Sequence, residues 1–99
     1  MGEIDYWRVH AHALDRLGTV LAVFLPGGEP TPRVCYVASH PHSGSRIEVS
    51  LLSGRWWDAG AGKQGRDLVS LVAHITGLTM PRAATKLARH AGVEARRHV

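Results

Sequence analysis

Apolar residues recur along this chain in two rhythms, and the changes between them mark out its elements. Trp7, His10, Leu14, Leu17 and Leu21 alternate spacings of three and four, which lays one apolar stripe along a helix. The stripe predicts a helix over residues 4–24 that begins near Ile4 or Asp5 and is open to interruption at Gly18. Pro26-Gly27-Gly28-Glu29-Pro30-Thr31-Pro32 then stops any regular structure. Residues 33–38, 46–52 and 55–59 are short, partly β-branched and bounded by turn residues, with Ser53-Gly54 reversing the chain between the last two. Three antiparallel strands over residues 33–59 are expected. Leu68, Leu71, Val72 and Ile75 return to helical spacing, and Gly77 stands where a helix end favours a residue tolerant of positive φ. Thr79 as N-cap, Pro81 in the first turn and Ala84, Leu87, Ala88 and Ala91 predict a second helix ending at Gly92. The helical pair thus fills residues 67–91, and residues 94–99 follow as a basic tail containing Arg96-Arg97-His98.

The pattern describes an α+β domain: a small three-stranded antiparallel sheet packed with an N-terminal helix and two C-terminal helices. At 99 residues it is a single domain, residues 1–99, which must commit nearly all its apolar residues to one core. Twelve Lys and Arg against 8 Asp and Glu leave a net charge of +4 and a pI near 10.0. That balance favours anionic partners, nucleic acid first, although part of it is the solvated surface that any small basic protein carries. Cys35 is the only cysteine, so no internal disulfide forms, and a reducing cytoplasmic setting is expected. The longest apolar run, Val20 to Leu25, is too short to span a bilayer, and the N-terminus lacks the order of a signal peptide, so no membrane association is expected.

Candidate chemistry gathers around Arg55-Trp56-Trp57-Asp58-Ala59-Gly60-Ala61-Gly62-Lys63-Gln64-Gly65-Arg66, an aromatic strand running through a glycine-rich turn into a helix. Adjacent residues on a strand face opposite sides, so one tryptophan enters the core and the other turns away. An outward ring either packs under the N-terminal helix or stacks on an unpaired base. Arg33, Arg46, Arg55, Lys63 and Arg66 lie on or beside the strands and would contact phosphates where they share a face with that ring, Trp57 being the candidate. Gly60, Gly62 and Gly65 read first as turn residues and second as bare backbone for an anion at the next helix N-terminus.

Several of these segments in order resemble the N-terminal zinc-binding, zinc-ribbon domain of bacterial and phage DNA primases. The resemblance runs from Phe24 to Val93. Leu25-Pro26-Gly27-Gly28 stands where that family has Cys-Pro-x-His, and Ala59-Gly60-Ala61-Gly62 where it has Cys-x-x-Cys. Arg46-Ile47-Glu48-Val49 and Gly54-Arg55-Trp56-Trp57 stand at its hairpin strands. The segments from Gly65 to Ala73 and from Ala84 to Val93 match its helical half. None of the residues in the ligand places binds metal through its side chain, so the resemblance implies a zinc-free form with no cofactor. A structural zinc supplies folding free energy on the order of 10 kcal/mol, which an enlarged apolar core would have to replace. The resemblance further implies a non-catalytic, nucleic-acid-binding adaptor, with single-stranded DNA favoured. Its setting would be phage or plasmid replication, beside a separate primase, polymerase or helicase.

Other chemistry finds less support. The glycine-rich turn lacks the Lys-Ser/Thr pair and spacing of a phosphate loop, so nucleotide hydrolysis is not expected. Cys35, His40 and His42 form the most compact metal-ligand spacing, but Cys35 falls in an apolar strand and His40-Pro41-His42 reads as an exposed loop tip. No nucleophile, base and orienting acid are suggested, and the chain is not expected to be an enzyme. Two alternatives remain. Residues 71–91 resemble a helix-turn-helix unit, with Ala73 at the close-packing position and Arg82, Thr85, Lys86 and Arg89 offered to a major groove. The other is a module that binds only a protein of a replication complex.

Overall fold

The computed structural model describes residues 2–97 and is an α+β domain of four helices and one five-stranded antiparallel sheet. The chain runs α1 (Tyr6–Asp15), α2 (Leu17–Phe24), β1 (Glu29–Pro30), β2 (Cys35–Ser39), β3 (Arg46–Ser50), β4 (Trp56–Asp58), β5 (Lys63–Gly65), α3 (Leu68–Thr76) and α4 (Met80–Ala91). Strand order in the sheet equals chain order, so every neighbour is joined by a local reversal. The three expected strands are β2, β3 and β4. Both additional strands are edges: β1 spans two residues of the Pro/Gly segment, and β5 is Lys63-Gln64-Gly65. An edge strand that buries no side chain carries no apolar rhythm, so nothing in the sequence announces it. Pro30 is tolerated because an edge position needs no second ladder partner.

The expected first helix is two helices. The interruption falls at Arg16, with φ −121° and ψ 34°, and Gly18 is accommodated inside α2. Both helices pack on α4, α1 burying Val9 and Ala13 and α2 burying Val20, Leu21 and Phe24. The Asp5 carboxylate caps α1 by accepting the Arg8 N–H at 3.1 Å. Gly77 and Gly92 end α3 and α4 in the left-handed conformation, φ 75° and 70°, as the C-terminal signals predict.

One core fills the space between the helices and one face of the sheet: Ile47, Val49 and Trp56 from the strands, Leu68, Val69, Leu71, Val72 and Ile75 from α3, and Ala84, Leu87 and Ala88 from α4. The expected basic tail is partly built in. Ile4 and Arg96 form an antiparallel bridge, the Arg96 guanidinium donates to the Gly2 carbonyl at 3.0 Å, and Arg97 lies 3.4 Å from Asp5. His98 falls outside the described residues. None of the described helices is long and apolar enough to cross a membrane.

Candidate nucleic-acid interface

Helices cover only one face of the sheet. Register assigns the side chains: Val49 pairs with Trp56 and Tyr36, while Glu48 pairs with Trp57 and Val37. Trp56, Ile47, Val49 and Asp58 therefore point toward the helices, and Val37, Glu48 and Trp57 line the bare side. Trp56 is 3% exposed and Trp57 is 38% exposed, so the outward ring is Trp57. Arg46 shares the bare face with Glu48 by strand alternation, and Arg55 shares it with Trp57.

Besides a hollow of about 530 Å³ at the β1 edge, lined by residues that include Glu29, Val37 and Arg46, two shallow depressions mark this face. One, of about 270 Å³, is lined by Arg46, Glu48, Trp57 and Ala59. The other, of about 310 Å³, is lined by Thr31, Pro32, Arg33, Cys35, Val37, Arg46 and Glu48. Arg46 belongs to both, which makes Arg33, Arg46 and Trp57 parts of one continuous surface. Val34, between Arg33 and Cys35, is held at φ 58°, a conformation that costs a β-branched residue on the order of 1–3 kcal/mol. Two acids share the surface: Glu48 at its centre, to which the Arg46 guanidinium donates at 3.0 Å, and Glu29, which pairs with Val37 at the β1 edge.

Of the six residues singled out in the sequence, Arg33, Arg46, Arg55 and Trp57 come together here. Lys63 does not join them. It pairs with Asp58 in the β4–β5 ladder, which gives it the opposite face, and it is exposed at the edge. Arg66, one residue beyond β5, falls opposite Arg55 when the β4–β5 register is continued, so the alternation that places Arg55 on the bare side places Arg66 there too, at the β5 edge.

The α3 N-terminus behind the glycine-rich turn has its own acceptors. The Asp67 carboxylate takes the Ser70 N–H at 2.7 Å, and His10 Nδ1 takes the Leu68 N–H at 3.0 Å. Those donors are spent internally. Of the three turn glycines only Gly62 has positive φ, 65°. Gly65 is required for another reason, since a Cβ there would strike the Trp56 indole and Ser70 Oγ.

No pattern along the chain announces the polar network under the hairpin tips. Asp58 is fully buried, and its Oδ2 accepts from Ser45 Oγ at 2.9 Å and from His74 Nε2 at 2.7 Å. Its Oδ1 accepts the Ala61 N–H at 3.1 Å. Burial alone would raise the Asp58 carboxyl. The hydrogen bonds from His74, Ser45 and Ala61, with the attraction of His74, outweigh it and hold the group below its ordinary value. His74 stacks on Trp56 with ring centroids 4.8 Å apart. His40, expected at an exposed tip, is buried: Nδ1 accepts the N–H groups of His42 and Ser43, and Nε2 lies 3.3 Å from the His74 carbonyl. With Nδ1 accepting, Nε2 carries the proton and donates to that carbonyl. One expectation that strand parity could have supplied is the burial of Asp58, which follows from the burial of Trp56 two residues earlier.

Metal geometry is absent where it was sought. Cys35 and His40 stand at opposite ends of β2, about 16 Å of strand apart, so they cannot share an ion with His42. The Leu25–Gly28 place precedes β1, and the Ala59–Gly62 place joins β4 to β5, so the two sit at opposite edges of the sheet. Leu25 is buried in the core, its carbonyl accepting the Tyr36 hydroxyl at 2.6 Å. A zinc ion does not fit these places. Among the described residues no group of three or more His, Cys, Asp and Glu is arranged to hold a metal.

Fold and surface together define a small α+β domain with one sheet face packed and the other bare, aromatic and cationic. No known protein family, no curated protein and no solved structure matches the chain at significance.

Proposed function

We propose that this protein is a non-catalytic nucleic-acid-binding adaptor whose ligand, single-stranded DNA, lies across the bare face of the sheet. The observation that carries the reading is Trp57, turned outward beside Arg46 and in line with Arg33 on one continuous surface. Stacking of an unpaired base on an aromatic ring is worth on the order of 1–3 kcal/mol and tolerates any base, while guanidinium groups on either side hold the backbone. A duplex hides its bases from such a ring, which is why the unpaired form is favoured.

The absence of catalysis is part of the proposal. The most reactive-looking group, His74 with Asp58, has its carboxylate at the centre of the chain of hydrogen bonds, fully buried and with both oxygens engaged. No substrate atom reaches it. A role in phage or plasmid replication, next to a primase, polymerase or helicase, rests on the resemblance of the sequence to primase zinc-ribbon domains.

The test is fluorescence anisotropy with a labelled oligothymidylate. Contact of Arg33, Arg46 and Arg55 with about three phosphates gives a log–log salt slope near −2, or about 15-fold weaker binding between about 50 and 200 mM salt. Trp57→Ala is expected to weaken binding about 5- to 100-fold with the salt slope retained. Binding that is unchanged in Trp57→Ala overturns the reading.

A further inference from the structure

A second cationic surface lies on the helical side of the molecule. α4 buries Ala83, Ala84, Leu87, Ala88 and Ala91, which leaves Arg82, Thr85, Lys86 and Arg89 on its exposed face. The three cations sit at i, i+4 and i+7 and so span about 10 Å along the helix axis. Arg96 joins them from the returning C-terminal segment, held in place by the Ile4–Arg96 bridge and its bond to the Gly2 carbonyl. Leu78, Pro81, Arg82, Thr85, Lys86, Arg89 and Arg96 line one groove of about 330 Å³, and Glu94 stands at its rim, in the adjoining depression that shares Thr85, Arg89 and Arg96. The sheet face, by contrast, carries Glu48 at its centre.

We propose that this groove takes the sugar–phosphate backbone of double-stranded nucleic acid, without sequence preference. Charge complementarity chooses the occupant. Duplex DNA carries a negative charge about every 1.7 Å of axis, so a row of cations about 10 Å long meets several phosphates at once. No aromatic residue lines the groove, so an unpaired strand gains no stacking there. Its only apolar lining residues are Leu78 and Pro81, too few to anchor in a lipid surface. The groove holds no Asn or Gln to read adenine, and the Thr85 hydroxyl is spent on the Pro81 carbonyl at 3.0 Å, which leaves Arg and Lys side chains, the groups that take phosphate. A preference for one guanine-containing duplex sequence over another would overturn the lack of sequence preference. α4 packs on α1, α2 and α3, and the bare sheet face is turned away from those helices, so both surfaces accept ligand together. A protein so built holds a junction between paired and unpaired DNA.

The α4 surface stands independently of the sheet face, and one set of titrations separates them. The probes are a fluorescent mixed-sequence duplex of about 20 base pairs and a labelled oligothymidylate, each at about 50 and 200 mM salt. Wild-type protein is expected to bind the duplex with roughly 100-fold loss between the two salts, from about four phosphate contacts. The Arg82→Gln, Lys86→Gln, Arg89→Gln triple variant is expected to lose at least about tenfold in duplex affinity and about 3 from the log–log slope. Its melting temperature and its oligothymidylate binding should match wild type, since all three side chains are exposed. Duplex binding unchanged in the triple variant overturns the proposal, as does tighter binding of polyglutamate or phosphatidylserine vesicles than of duplex. Loss of oligothymidylate binding in Trp57→Ala, with duplex binding kept, supports the assignment of the two ligands to two faces. Failure of wild type to bind oligothymidylate while it binds duplex sinks the sheet-face reading alone.

Discussion

Trp56 and Trp57 are neighbours in sequence and opposites in environment. The Trp56 indole is buried, donates to Ser70 Oγ at 3.0 Å, lies stacked on His74 and leaves no room for a side chain at residue 65. The Trp57 ring has none of these attachments and lies on a face that also carries Arg46 and Arg55. The two faces of this sheet differ in kind: one is fixed by packing and satisfied polar groups, and the other is bare. Substitutions on the first should cost stability, and on the second, affinity.

The largest expected effect is Trp56→Ala, which should destabilise the fold by about 3–5 kcal/mol through cavity formation, read by chemical denaturation. Trp57→Ala in the same assay should stay within about 1 kcal/mol of wild type; equal losses at the two positions would erase the contrast. Next comes Asp58→Ala. It strands Ser45, His74 and the Ala61 amide without their acceptor and should cost about 3 kcal/mol, again by denaturation.

The packed face should also respond to pH. Burial lowers the His10 pKa, outweighing the attraction of Asp67 and a bond to the Ser53 backbone. The unfolded chain therefore binds a proton at pH values where the folded one does not, and stability falls as pH drops from 6.5 toward the lowered native value. Asp58 acts in a lower window: its stabilisation is present above 3.8 and disappears as pH falls through its depressed native value. Melting temperatures on either side of 6.5 should show the first effect in wild type and a flatter curve in His10→Gln.

Two smaller effects belong to the bare face. Val34→Gly relieves a positive φ of 58° and should stabilise the protein by about 1 kcal/mol, measured by thermal melting. Glu48→Gln removes the acid between Arg46 and Trp57 and should raise oligothymidylate affinity about threefold at low salt, an advantage that fades as salt is added.

Much of this architecture was legible in the residues themselves. The helical stripe through Leu68, Leu71, Val72 and Ile75 placed α3 to within a residue, and the glycines at 77 and 92 marked two helix ends, because burial and left-handed caps leave local signatures. Of the candidate surface, Arg33, Arg46, Arg55 and Trp57 were read as a group and do share a face. Lys63, read with them, lies on the opposite face, and β5, which sets its side of the sheet, has no apolar pattern to reveal it. An interruption of the first helix was expected at Gly18 and falls two residues earlier, at Arg16, with Gly18 inside α2. The Asp58, Ser45, His74 and His40 network joins residues up to 34 positions apart, and only tertiary structure brings such partners together. The resemblance implied an enlarged apolar core; at the hairpin tips the structure adds a buried carboxylate, Asp58, with both oxygens hydrogen-bonded.

Ultraviolet cross-linking of the protein to oligothymidylate, followed by tryptic mass spectrometry, tests the central claim most directly. A base stacked on the open face should cross-link to Trp57, within the peptide that begins after Arg55 and ends at Lys63. Cross-links confined to α4, or to the exposed Trp7 of α1, with Trp57 unmodified, would contradict the account.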